Sequence, residues 1–336
     1  MKRMNLGNNC KSPFKSLLLC NFLALSFCLN APAEVLIPGH YVQGFIAPAT
    51  WDKGFLLVRD HSAEESGSTQ PHLTVIRKDG TVLSKVRVEI PGATQIQVYD
   101  AAALDSSGNV VIAASGWSAD SQHAGMLCFA SPSGKIQKVV QTNPFLPMLV
   151  KTAPDGSIWA MGGDIRGLGK QSTEVFERFS ASGQLLGKWM PASEFRTPKG
   201  YYPAMLTTER GQPALAASSD RIGAYVAISE TWIEFAADGR VMERLSVASQ
   251  PGEKVRRLCM TSSGGVFAMI EGPSGANLKE LDRQQARWTS LPAEGRVSSA
   301  LVGCENDDLI LAAFPERGQQ GYQWISAPSA VAKAEN

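Results

Sequence analysis

Histidine is scarce in this chain. Its 336 residues include four, His40, His61, His72 and His123, and none lies beyond position 123. A metal or general-base centre assembled from imidazoles along the whole sequence is therefore excluded. Runs of lysine and arginine are absent as well, and 32 basic residues stand against 31 acidic ones. That leaves no basic face for a nucleic acid or an anionic membrane surface. No Gly-x-Ser-x-Gly elbow occurs, because Gly272-Pro273-Ser274-Gly275 lacks the spacing. The glycine-rich stretch 162–170 fails as a phosphate loop: Asp164 stands where the first glycine belongs, and Gln171 replaces the hydroxyl that would hold magnesium. It also joins two strand-like runs, so no helix N-terminus follows it to receive a phosphate.

What the N-terminus has is a positive segment with Lys2, Arg3, Lys11 and Lys15, an apolar core over 16–29, and Ala31-Pro32-Ala33. This reads as a secretory signal peptide over 1–33. Asn21 and Asn30 interrupt the core, which falls short of the roughly 20 apolar residues of a spanning helix. Leu19 and Phe27, before Cys20 and Cys28, are too large for a lipoprotein cleavage site. The expected product is exported, periplasmic or extracellular, with no membrane insertion after cleavage. Removing four basic residues from the 32 leaves 28 against 31 acidic ones, a slightly acidic chain.

Of six cysteines, Cys128, Cys259 and Cys304 remain beyond residue 33. An odd number cannot pair completely, and all three sit in apolar runs. Buried free thiols are the expected state. The alternative is a Cys259–Cys304 disulfide, since the two occupy corresponding strands of neighbouring units.

Internal repeats carry the fold. A first turn is marked at Asp52-Lys53-Gly54, Asp105 to Gly108, Asp155-Gly156, Glu209-Arg210-Gly211, Ser262-Ser263-Gly264 and Asn306-Asp307. A second turn follows at Asp79-Gly80, Ser133-Gly134, Ser182-Gly183 and Asp238-Gly239, with a degenerate version at Arg283-Gln284-Gln285. The interval between the two turns is 26, 26, 27 and 28 residues in the four clean units. Such constancy marks one supersecondary unit repeated.

Continuous apolar runs after the first turn contain Ala113, Ala160, Ala216, Ala268 and Ala312. They read as strands covered on both faces at closely packed positions. Ile76, Phe179 and Phe235 precede the second-turn glycine by four residues, and Phe129 by five. Alternating runs beyond that turn, such as 185–189, read as outer, half-exposed strands. Trp159, Trp232 and Trp324 on interior strands, and Trp189 and Trp288 on outer ones, read as packing residues.

Units this thin bury their faces only by stacking in a closed ring. The expectation is all-β: a six-bladed β-propeller of four-stranded antiparallel blades filling 34–336 as one domain. The blades are placed at about 40–90, 91–142, 143–191, 192–248, 249–292 and 293–328. The last runs out one outer strand short, and 34–37 is expected to supply it and close the ring. The turn Asp-x-x-Gly, the apolar strand and the aromatic ahead of a second x-Gly turn resemble NHL-type repeats and their six-bladed relatives, over most of 40–326.

Those relatives include lactonase-like propellers, and that resemblance implies a divalent cation on the axis held by side chains from several blades. Among residues entering the innermost strands here, Asp100 is the one acid, while Arg256 and Arg257 would repel a cation. A calcium ion needs several converging oxygens. No cofactor is therefore expected, with a divalent cation near Asp100 as the alternative, and Asp100 itself reads as a hydrogen-bonded strand-end residue.

Long connections place the candidate site on one face of the ring, formed by loops within blades and between them. Candidates are Asp60, His61, Trp117, Asp120, His123, Asp164, Arg166, Arg196, Tyr201, Tyr202, Asp220, Arg221 and Arg317, together with Asp100 on the axis. Their mixture of rings and charges of both signs suits a protein partner or a small polar ligand. The functional expectation is an exported binding or scaffold module. The alternative is a metal-dependent lactonase-like hydrolase or lyase with an axial site.

Overall fold

Hairpin turns of this kind need a left-handed residue, and glycine supplies it at no steric cost. Gly80, Gly134, Gly183 and Gly239, the second-turn glycines, all have φ between 80° and 91°. After each comes a bulge on the outer strand, where Leu83, Gln137, Leu186 and Met242 are skipped in the pairing. Space matters as much as torsion. A Cβ on Gly239 would lie 2.1 Å from the Trp189 ring of the preceding sheet.

The structure, a computed structural model, describes residues 34–37, 49–60, 71–120, 122–164, 173–195, 211–291, 299–313 and 323–328. The expected signal segment 1–33 lies outside them. Strand β1 (Glu34–Ile37) precedes five sheets of four consecutive antiparallel strands. The first is β2 (Ala49–Asp52), β3 (Phe55–Asp60), β4 (His72–Arg77) and β5 (Val82–Arg87). The second is β6 (Ala93–Ala103), β7 (Val110–Ser118), β8 (His123–Ala130) and β9 (Ile136–Gln141). Next come β10 (Phe145–Thr152), β11 (Ile158–Asp164), β12 (Glu174–Phe179) and β13 (Leu185–Pro191). The fourth is β14 (Ala214–Ala217), β15 (Arg221–Val226), β16 (Thr231–Ala236) and β17 (Val241–Ser246). The fifth is β18 (Lys254–Met260), β19 (Val266–Gly272), β20 (Gly275–Asp282) and β21 (Arg287–Ser290).

The chain ends in β22 (Ser299–Glu305), β23 (Asp308–Ala313) and β24 (Gln323–Pro328). These three make a sixth four-stranded sheet only with β1, in the order β1-β24-β23-β22. The architecture is a propeller: five sheets are made of consecutive strands, and the sixth is of mixed origin. The innermost strands touch in the cycle β2, β6, β10, β14, β18, β22 and back to β2. Deleting residues 34–37 uncovers the backbone edge of β24, and the melting temperature is expected to fall by roughly 5 °C, the response to losing about 2 kcal/mol. An unchanged melting curve would show that the pairing adds nothing.

Interfaces between sheets hold the apolar side chains. Between the third and fourth sheets, Trp159 stacks on Trp189 at 5.0 Å between centroids and packs on Phe235 at 4.9 Å. Trp159, Trp189, Trp232 and Trp288 are packing residues, as read from the sequence, and Trp324 has no described side-chain environment.

Three expectations need correction. Gly211 does not make the first turn of the fourth sheet; it forms a parallel bridge to Val255. The turn lies at residues 218–220, so Ala214–Ala217 is the innermost strand and Ala216 is not the equivalent of Ala160. No glycine marks this turn because the Ser218 hydroxyl closes it, bonding Asp220 Oδ1 at 2.9 Å and accepting from the Arg221 N–H at 3.3 Å. Second, Cys259 and Cys304 are joined as a disulfide with a Cα separation of 5.6 Å, while Cys128 is free and buried. Burial pushes the Cys128 thiol up to about 12. Third, Asp100 is not at a strand end but inside β6, just after a bulge at Tyr99.

Candidate functional site

Innermost strands begin on the long-connection face and end on the first-turn face. The ends of five of them, β2, β10, β14, β18 and β22, surround an axial cavity of about 300 Å³. It opens beside the first turns, at Lys53, Ser219, Ser262 and Asn306. The described cavity is thus on the face opposite the long connections.

Apolar wall is supplied by Leu215, Leu258, Met260 and Val302, with the Cys259–Cys304 disulfide tying two strands of the wall together. Polar wall centres on an ion pair, Lys151 Nζ to Asp52 Oδ1 at 2.6 Å. The same Asp52 accepts the Ala103 N–H on Oδ2 at 2.8 Å, so both its oxygens are engaged. Trp51 and Thr152 also line the cavity and are each 1% exposed. Among the described residues, neither the Trp51 indole N–H nor the Thr152 hydroxyl has a hydrogen-bond partner, and both atoms are shielded from solvent. Orphaned donors of this kind are uncommon in buried positions and need an explanation.

Further along the axis lies Asp100, whose Oδ2 accepts the Val150 N–H at 3.0 Å. Its strand β6 and the strand β18 that bears Arg257 are three places apart in the ring of innermost strands, on opposite sides of the axis. Burial pushes the Asp100 carboxyl up, and Arg59 and Lys151 oppose that without cancelling it. Arg257 is held below its ordinary value, first by burial and then by the Arg59 charge, with Asp100 acting against both. Among the described residues, no three His, Cys, Asp or Glu side chains are grouped so as to hold a metal ion.

The sequence candidates scatter. Trp117 and His123 do meet: they are cross-strand partners at the ends of β7 and β8, stacked at 4.3 Å with 4° between their planes. Trp117 is 41% exposed, and burial holds His123 below the ordinary histidine value. Asp60 and Asp164 end β3 and β11 on the same face. His61, Arg166, Arg196, Tyr201, Tyr202 and Arg317 lie outside the described residues. Asp220 and Arg221 belong to a first turn, on the other face, where Arg221 pairs with Asp220 at 2.9 Å and with buried Glu234 at 3.0 Å. Their role is to brace the fourth sheet.

Asp52, Lys151, Thr152 and Trp51 were missed. Asp52 was visible as part of a turn signal. Nothing in sequence links it to Lys151, 99 positions away.

No family model and no curated protein matches the chain. Solved structures do. A putative exported protein from Bacteroides fragilis is similar with a TM-score of 0.52 at 9% identity, covering 90% of this chain and 96% of that one. A gluconolactonase from Xanthomonas campestris gives a TM-score of 0.40 at 16% identity, covering 89% and 99%. A protein of unknown function from Bacteroides caccae gives 0.45 at 12% identity, covering 82% and 88%. At these identities the likeness is one of fold alone.

Proposed function

We propose that the protein is an exported six-bladed propeller that binds a small polar ligand in the axial cavity on its first-turn face. In this reading the mixed sheet counts as the sixth blade, and the segment 34–37 is the outer strand that follows directly on a cleaved signal peptide. The observation that carries the reading is the cavity itself. Five strands converge on it, and its wall holds a buried ion pair. Export rests on the leader-like composition of 1–33 and is compatible with the absence, among the described residues, of a helix long and apolar enough to cross a membrane.

The test is a thermal-shift screen of small polar metabolites against the wild-type protein and Ala217→Phe, which enlarges a side chain on the cavity lining. Ligands at 100 times their dissociation constant stabilise by about 2.7 kcal/mol. The expected result is a shift in the wild type that Ala217→Phe abolishes. Shifts that survive the substitution would move the site to the long-connection face. Lactone hydrolysis lost to a chelator and to Asp100→Ala would replace the binding reading with the lactonase-like one.

A further inference from the structure

Resting on the cavity as the binding site, we infer that its ligand is an uncharged molecule, a short apolar body carrying a hydroxyl or amide group, seated along β18 and β22 with its polar end at Ser262 and Asn306.

Charge in the lining is already matched within the protein. Among the described residues, Asp52, Lys53, Lys151 and Glu305 are the charged members of the lining, two cations against two carboxylates. Lys151 pairs with Asp52 at 2.6 Å, and the other Asp52 oxygen accepts the Ala103 N–H. Lys53 donates to the Leu104 carbonyl at 2.9 Å and has Asp105 near it as well as Asp52. Glu305 pairs with Lys78 at 3.4 Å. An ion brought against such a wall loses its water and meets no free counter-charge. A neutral polar group needs only a hydrogen-bond partner there, which is the far smaller demand.

Such partners stand at the rim. Ser262 lies two residues beyond the end of β18 and Asn306 one residue beyond the end of β22. The two turns are tied together, because the Ser262 N–H donates to the Asn306 carbonyl at 2.8 Å. Ser262 is partly exposed and Asn306 exposed, so a ligand at the mouth reaches both. Neither side chain makes a hydrogen bond among the described residues. A hydroxyl donates and accepts, and a carboxamide does both, so together they satisfy a neutral hydroxyl or amide in either sense. Deeper along the same two strands the lining turns apolar, with Leu258, Met260, Val302 and the Cys259–Cys304 disulfide. Polar rim and apolar wall are thus in line, which suits a molecule with one polar end. A volume of about 300 Å³ keeps that molecule small.

Benzamide, benzoate and benzylammonium share a phenyl body and differ in charge, and calorimetric titration at low salt and pH 7 compares them. Benzamide is expected to bind about tenfold tighter than either ion, the difference between desolvating a neutral amide and an unpaired charge. Its affinity should hold when salt is raised, because no screened attraction contributes. Ser262→Ala, which leaves the ion pairs of the lining alone, is expected to weaken benzamide about fivefold with the melting temperature unchanged. An ion that binds as tightly as benzamide, or tighter, overturns the uncharged class and leaves cavity binding standing. Benzamide affinity unaltered by Ser262→Ala overturns the placement of the polar end. Binding of none of the three overturns the inference, while the thermal-shift screen against Ala217→Phe decides the cavity reading separately.

Discussion

Replacing Cys259 and Cys304 together by alanine is expected to cost about 4 kcal/mol, the loop-closure value for a bond spanning 45 residues. The position of the bond makes that cost specific. It joins β18 to β22, the innermost strands of the fifth sheet and of the mixed one. The mixed sheet draws its fourth strand from the other end of the chain, so fewer local connections hold it. Without the crosslink the unfolded ensemble gains freedom and the last sheet can open away from the ring. Denaturant midpoints should show the double variant well below the wild type, and reductant should bring the wild type down to meet it. Equal midpoints without reductant would mean the bond does not form. Since both sulfurs line the cavity, the same variant should also weaken any ligand found there.

The fold was legible because its punctuation is chemical. Glycines at φ near 80° recur where a bulged outer strand must start, and apolar runs recur where strands are covered on both faces. The reading failed at the fourth sheet, where Glu209-Arg210-Gly211 looked like a turn and the true one at 218–220 is closed by a serine hydroxyl. An odd cysteine count argues only that one thiol stays free, so the sequence alone does not decide between free thiols and the disulfide. The site was less legible for a geometrical reason. An axial cavity takes a few residues from the ends of five innermost strands, and those ends lie far apart in sequence, from Asp52 to Thr152, Ala217, Met260 and Glu305, each looking like an ordinary strand terminus. Asp100 was visible as a lone acid. Its counterpart Arg257 lies across the axis on β18, and nothing in the spacing of the two residues brings them together.

The second large effect is expected at Glu234, and it depends on pH. This carboxylate is 0% exposed and receives Arg221 at 3.0 Å, Arg283 at 2.5 Å and the Trp232 indole N–H at 2.9 Å. Arg283 comes from the fifth sheet's second turn, so one buried charge fastens two sheets. Burial by itself would raise the Glu234 pKa, but the bonds from Arg283, Trp232 and Arg221 outweigh it and hold the group below its ordinary 4.5. A depressed carboxylate stabilises the fold above its unfolded pKa, and the benefit is lost as pH falls through the folded one. Glu234→Ala should cost about 2 kcal/mol at pH 7, since it removes the acceptor shared by Arg221, Arg283 and the buried Trp232 indole N–H, while Arg221 keeps Asp220 and Arg283 keeps Glu243. Glu234→Gln keeps an acceptor for Trp232 and should cost less, with the gap from wild type closing as the medium is taken below about pH 4. Glu177 provides the control, because it occupies the matching place on β12, paired with Ala160 as Glu234 is with Gly223. There burial prevails over Lys188 and the pKa is raised, so Glu177→Gln should be close to neutral or stabilising at pH 7. Unfolding curves for both variants between pH 7 and pH 3 decide the matter. A Glu234→Gln gap that stays constant across that range would show that the charge network does not brace the two sheets.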